Sequence, residues 1–320
     1  MAAVTDAATI RPGNAPGRSG NAIFRVLSTG AGITIVVLLG LVAAFLIYRA
    51  LPALTASAEE IGGVGFMRGQ GLFAYVAPLI FGTVLSSIIA LVVAVPLSIG
   101  IALFISHYAP RRLAQGLGYL IDLLAAIPSV VFGLWGVFVL APFLSPAFTW
   151  LSDTLGFIPL LEGYTAPARN IMTAGMVLAV MILPIITATS REVFLQTPRL
   201  HEEASLALGA TRWEMVRQAV LPFGRSGVVS ASMLGLGRAL GETMAVLMVL
   251  SPGFLVSFFL LKPGQHQSIA ANIANQFPEA SGLSLDVLIA TGLFLFLLTF
   301  LVNLLARWVI ARRAEFSGAN

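Results

Sequence analysis

Residues 197–242 read TPRLHEEASLALGATRWEMVRQAVLPFGRSGVVSASMLGLGRALGE, and the rest of the chain is understood around this stretch. Its first half is polar and lies between two apolar segments; its second half is apolar but carries Arg238 and Glu242. Thr197 is placed to cap a helix opened by Pro198, because the missing N–H of proline costs nothing at a first helical position. Gly209 suits the left-handed residue just past the end of that helix. Thr211 and Glu214 form a capping-box pattern that starts a second helix. Pro222 is expected to end it, since proline cannot continue the hydrogen-bond ladder. Neither helix is long enough to cross a bilayer. The expectation is a polar helical hairpin on one face of a membrane, beside a charged apolar span. Such an arrangement can receive work on one side of a bilayer and move something charged through it.

Composition supports a membrane setting. The chain of 320 residues is 58% hydrophobic and 10% charged, against about 25% charged in soluble domains, and its mean hydropathy is +0.94. Several apolar runs approach the roughly 20 residues a helix needs to cross the hydrocarbon layer. The fold class is therefore an all-α membrane protein with six transmembrane helices, near residues 22–50, 73–105, 117–144, 170–190, 226–250 and 285–310. A membrane barrel would show short alternating segments instead. The first run is too long for a signal-peptide core of about 7–15 residues and is read as an uncleaved helix. Residues 1–22, rich in Gly, Ala, Asn and Pro, read as a disordered tail. Residues 23–72 hold the first helix and an external loop, residues 73–312 the core with a coupling loop at 191–225, and residues 313–320 a second tail. The apolar run Phe254–Leu261 is too short to span, so it is re-entrant, interfacial or folded against its neighbours.

Charge sets the orientation. Thirteen Arg residues fall in the terminal regions and in the loops around Arg111 and Arg212, while Arg49, Arg68, Arg169 and Lys262 fall in the opposite loops. The excess of basic residues in cytoplasmic loops then puts both termini and the hairpin inside the cell. The same distribution explains the basic pI without nucleic acid, since the cations punctuate apolar spans and contact lipid.

Several chemistries are excluded. There is no cysteine, hence no disulfide or thiolate site. No GxxxxGK[ST] loop exists, so ATP is not hydrolysed here by that route. His201-Glu202 begins like a zinc-protease motif, but Ser205 stands where the second histidine belongs, and no GxSxG elbow occurs. His107, His201 and His266 fall in separate loops. Asp122, near the expected start of span three, is read as solvated or capping.

Span five carries the chemistry. Arg238 and Glu242 are four apart and so are expected to share a helix face. A charge deep in a bilayer is expensive, so both should face the protein interior or water and pair with each other. A guanidinium stays charged and offers bidentate hydrogen bonds to an oxyanion. Glu242 is then the resting partner of Arg238, displaced as substrate passes; a structural ion pair fixing helix register is the plainer alternative. Gly237 and Gly241, with Gly235 beside them, form a small-residue step suited to close helix packing.

Two resemblances follow from these residues. Glu203-Ala204-Ser205, three residues, Gly209, nine residues, then Ala219-Val220-Leu221-Pro222 resembles the EAA loop of bacterial ABC importer permeases. The spacing matches throughout; Ser205 replaces the second alanine and Ala219 an isoleucine. The resemblance implies the type I, MetI-like permease fold. It also implies a coupling helix that docks on an ATPase through Glu203, Ala204, Ser205, Gly209, Ala210, Thr211, Leu221 and Pro222. The plainer alternative is an amphipathic connector lying on lipid headgroups. The runs IPSVVFGLWG (127–136), LPIITATSREVF (183–194), GLGRALGETMAV (235–246) and SIAANIANQFPEA (268–280) look like the phosphate-specific transporter permeases, most of all the PstC-type subunit.

That second likeness implies uptake of phosphate across a bacterial inner membrane. It implies a PstA-type permease, a dimer of PstB-type ATPases and an extracytoplasmic PstS-type phosphate-binding protein as partners. It implies no cofactor in this chain, with ATP and Mg held by the ATPases. It makes loop 251–284 a docking surface, an outer gate or a connector. Two alternatives stand beside it: a permease for another oxyanion such as sulfate or molybdate, and a self-sufficient secondary transporter or channel. The latter usually shows internal repeats, and none is evident here.

Overall fold

The computed structural model describes residues 18–67 and 69–314, with side chains described for 23–308 apart from Ala58 and Arg68. The expected tails at 1–22 and 313–320 lie largely outside those residues; helix is already formed at Arg18. All described regular structure is helical, and six helices are long and apolar enough to cross a membrane.

The chain divides into two compact units. The first, as far as Tyr48, is the body of α1 (Arg18–Thr55). Its large apolar side chains, such as Ile33, Val36 and Phe45, are exposed on every side, as in a helix surrounded by hydrocarbon. The second unit, from Arg49 onward, holds the other five long helices.

In that unit α2 (Ala58–Gly62) is a single capped turn, with Ser57 and Glu60 forming a capping box. Helix α3 (Leu72–Leu103) runs on through a π turn to Tyr108. Helix α4 (Arg111–Ala125) is a short helix of its own, and α5 (Ser129–Trp135) continues through a second π turn into α6 (Ala141–Leu155). The third span therefore covers Ser129–Leu155 rather than 117–144. The cause is Pro128, which disfavours helical backbone at Ile127 and itself stands at the N-cap of α5. Asp122 is exposed within α4.

Helix α7 (Ile171–Leu195) is the most buried span and forms the centre of the core. Helix α3 lies along it; a Cβ on Gly175 would come 2.5 Å from Ile89, so the glycine permits the close approach. Ser98 Oγ donates to the Leu183 carbonyl across the same interface at 3.1 Å. Helix α8 (Arg199–Ala207) forms the first arm of the hairpin; α9 (Arg212–Met215), a π turn and α10 (Leu221–Leu240) follow as one rod. Then come α11 (Met244–Val249), α12 (Ile269–Gln276) and α13 (Leu283–Ala314).

The run Phe254–Leu261 is not helical and folds against its neighbours. The N–H groups of Gly253 and Leu255 donate to the carbonyls of His266 and Gln265. Phe254 stacks on Tyr75 and Phe258 meets Phe81 edge-on. At the far end of this segment His266 Nε2 bonds the Ser257 carbonyl at 2.7 Å. Burial pushes the His266 imidazole down from its ordinary value, and the Ser257 carbonyl offsets part of that effect. The chain then crosses α3 closely: Ile269 N–H donates to Thr83 Oγ1 at 2.9 Å. A Cβ built on Gly82 would overlap the Gln267 carbonyl oxygen. Gly82→Val is therefore expected to unseat this segment at a cost of about 1–3 kcal/mol, the range for overpacking; a lowered melting temperature of the purified protein checks it.

Candidate functional site

The hairpin at 197–222 is built by local chemistry. Pro198 itself, with ψ 126°, stands at the N-cap of α8. Thr197 is buried and its hydroxyl has no partner, so it is not the cap that the sequence suggested. Gly209 sits at φ +86°, the left-handed turn, and its N–H donates to the Leu206 carbonyl at 3.0 Å. Thr211 and Glu214 form the capping box in both directions: Thr211 N–H donates to Glu214 Oε2 at 2.7 Å and Glu214 N–H to Thr211 Oγ1 at 3.3 Å. Across the hairpin Ser205 Oγ reaches Gln218 Oε1 at 3.4 Å.

Pro222 does not end the second arm. Leu221 N–H donates five residues back to Val216, and this wider turn admits the proline near the start of α10 without its ring meeting the preceding turn. Helix therefore continues without a break from Arg212 to Leu240. The hairpin and the arginine of span five belong to one rod, which the sequence had divided at Pro222 and again at Ser226.

One side of the hairpin is anchored and the other is free. Met215, Val216 and Val220 pack on Phe194, Ala102 and Leu103 at the ends of α7 and α3. No residue of α8 is buried. Glu203, Ala204, Gly209, Thr211 and Pro222 are exposed, and Ser205, Ala210 and Leu221 are partly so. Leu200, Leu208 and Trp213 also point outward, with Leu208 90% exposed. Apolar side chains on a capped, polar hairpin are what a partner surface can cover. A contact missed in the sequence ties the hairpin to span two: His107 Nε2 lies 3.5 Å from Glu202 Oε1. No local signal joins residues so far apart in the chain. The two side chains are only 8% and 23% exposed, so His107→Ala should loosen the hairpin's seat on span two, read as faster amide hydrogen exchange along α8 in the purified protein.

Span five departs from expectation at its C-terminal end. Helix α10 stops at Leu240, and Gly241 at φ −92°, ψ 0° turns the chain. Glu242 thus lies beyond the helix and does not share a face with Arg238. No ion pair joins the two. The Glu242 carboxylate is buried and accepts the Ala245 N–H at 3.0 Å, at the start of α11. A carboxylate is stable there because the first amides of a helix are unpaired donors. Arg238 points elsewhere. It lines a cleft with Ser230, Leu234, Asn303 and Arg307, and its Nε is buried without a hydrogen-bond partner.

The glycines also separate. A Cβ on Gly235 would come 2.8 Å from Ile186, so this residue brings α10 onto α7. Gly237 and Gly241 meet no other element, and both are exposed. Among the described residues, nothing packs on that step. Asn303 and Arg307, on span six, were not singled out from the sequence, where Arg307 reads as a tail charge. Their spacing of one helical turn was the available signal.

Comparison with known proteins agrees with this architecture. Residues 94–315 match the model of the binding-protein-dependent transport system inner membrane component. The chain is 50% identical over 300 residues to the phosphate transport system permease protein PstC 2 of Mycobacterium tuberculosis, covering 91% of this chain and 92% of that protein. It is 41% identical to the phosphate transport system permease protein PstC of Mesorhizobium japonicum, covering 93% and 92%. In fold it is similar to a chain of a bacterial ABC transporter involved in the import of the acidic polysaccharide alginate. There the TM-score is 0.59 at 17% identity, covering 92% of this chain and 99% of that one.

Proposed function

The chain belongs to the family of binding-protein-dependent transport system inner membrane components, and from that premise we propose that it is the permease subunit of an ATP-driven importer of inorganic phosphate. The observation that carries this reading is 50% identity with a phosphate transport permease across nine-tenths of both chains. The exposed hairpin supports the other half of the reading, that the work comes from a separate ATPase.

In this reading both termini and the hairpin face the cytoplasm. A PstB-type ATPase dimer, which holds ATP and Mg, receives the outward-facing residues Glu203 to Thr211. A PstA-type permease covers the open Gly237–Gly241 step and completes the path. A PstS-type protein delivers phosphate to the opposite face, near loop 251–284. Phosphate is hard to dehydrate, and the Arg238 guanidinium compensates it with paired, charge-assisted hydrogen bonds.

The rod from Arg212 to Leu240 supports a direct coupling route. At 1.5 Å per residue, Arg212 and Arg238 are about 40 Å apart along one helix. A tilt imposed at the hairpin is then carried to the arginine along unbroken helix. The π turn at Val216–Val220 is the place in that rod where it can yield.

The test is reconstitution of the whole complex in vesicles with phosphate, sulfate or molybdate outside. Phosphate uptake that requires ATP and the binding protein is expected. Uptake of sulfate or molybdate in its place, or phosphate flux through this chain alone without nucleotide, refutes the reading.

A further inference from the structure

Arg238 shares its cleft with a second arginine. Between α7, α10 and α13 the surface folds inward around Ile185, Ser230, Arg238, Asn303 and Arg307. Asn303 and Arg307 lie one turn apart on α13 and so share a face, as Ser230, Leu234 and Arg238 do on α10. No carboxylate lines the cleft. Among the described residues, none comes within ion-pair distance of either arginine. Two guanidinium groups in one cleft disfavour each other, and the buried, unpartnered Nε of Arg238 adds an unmet donor. An anion removes both penalties together.

The other groups narrow the kind of anion. The Ser230 hydroxyl already donates to the Ser226 carbonyl at 3.0 Å, so its oxygen is left to accept. Asn303 offers a carbonyl acceptor as well as an amide donor. The cleft thus combines strong donors with acceptors beside them. A hydrogen-bearing oxyanion has lone pairs for the first and an O–H for the second; fully ionised sulfate has no O–H to give.

We propose that Arg238, Arg307 and Asn303 form an oxyanion-binding cleft for a protonated phosphate group. This rests on the phosphate-permease reading and deepens it, from one arginine on span five to a pair contributed by spans five and six. Asn303, one turn before Arg307 on α13, distinguishes the cleft from a simple arginine anchor at a helix end, which needs no such neighbour. The O–H assigns the group to the transported ion; a phospholipid phosphodiester has no O–H and could offer the arginines only its lone pairs, and retained lipid tests that occupant.

The complete importer, with both permeases, its ATPase and its binding protein, is reconstituted in phospholipid vesicles as wild type, R307Q, R307K and N303A. Two quantities are measured: uptake of radiolabelled phosphate, and phospholipid retained per complex after detergent extraction. R307Q is expected to lower uptake about tenfold or more, the factor that a lost charge-assisted hydrogen bond carries. N303A should lower it a few-fold, R307K should retain part of it, and retained lipid should not change. The ATPase should still co-purify with each variant, showing that the variants assemble. If R307Q does not assemble, R307K and N303A carry the comparison. Unchanged uptake with loss of one retained phospholipid makes the headgroup the bound phosphate. Unchanged uptake and unchanged lipid in all variants overturns the cleft and leaves the transport reading standing. A wild-type complex that takes up no phosphate overturns the transport reading itself, and the cleft's cargo with it.

Discussion

Arg238→Ala is expected to reduce ATP-driven phosphate uptake by about a hundredfold or more while leaving the complex assembled. Two charge-assisted hydrogen bonds to the anion are lost at once, each worth about 1.5–3 kcal/mol. The side chain makes no ion pair with any described residue, so its removal should cost little folding stability. Radiolabelled uptake in vesicles measures the first effect and co-purification of the ATPase the second. Glu242 supplies the internal control. If the two formed a resting pair, Glu242→Gln would disturb transport as severely, and a double change to neutral residues would restore some of it. In the structure the Glu242 carboxylate bonds the Ala245 amide instead, and a glutamine oxygen can accept that same bond. Glu242→Gln should therefore be far milder than Arg238→Ala. Uptake by Arg238→Ala near the wild-type level removes the arginine from the path.

Gly209→Pro is expected to disconnect the permease from its motor. Gly209 sits at φ +86°, and proline is held near −65°, so the turn between α8 and α9 cannot keep its shape. The bond from Gly209 N–H to the Leu206 carbonyl is lost as well. The spans themselves should still form, because the hairpin's buried anchor begins at Met215, beyond the turn. Basal ATP hydrolysis should continue, its stimulation by the phosphate-loaded binding protein should disappear, and uptake should fall to background. Gly209→Ala, which strains the same turn by about 1–2 kcal/mol, should sit between the two. Normal stimulated hydrolysis in Gly209→Pro would sink the docking role of this turn.

Much of the hairpin was legible because its signals are local. A glycine that must turn left-handed and a threonine three residues before a glutamate act within a few residues, and both are where the pattern placed them. The two prolines were read less well. Pro198 took the cap position from Thr197, whose side chain is buried against the core. Pro222 was read as a stop, and a π turn let the helix through. That choice is made by packing: Val216 and Val220 are fully buried against Phe194 and the end of α3. The gain from burying them outweighs the cost of one irregular turn.

The sequence alone determined that the chain is a bundle of membrane-crossing helices with a polar, capped hairpin on one face. Apolar length and capping chemistry act over a few turns and need no distant partner. It also marked Arg238 as a charge whose burial requires a reason. Tertiary structure alone decided what that charge meets. The turn at Gly241 takes Glu242 to the amides of α11, and the crossing of α10 with α13 brings Arg307 and Asn303 into the cleft of Arg238. Residues nearly seventy positions apart become neighbours only through the way helices pack, and no pattern within one helix encodes that.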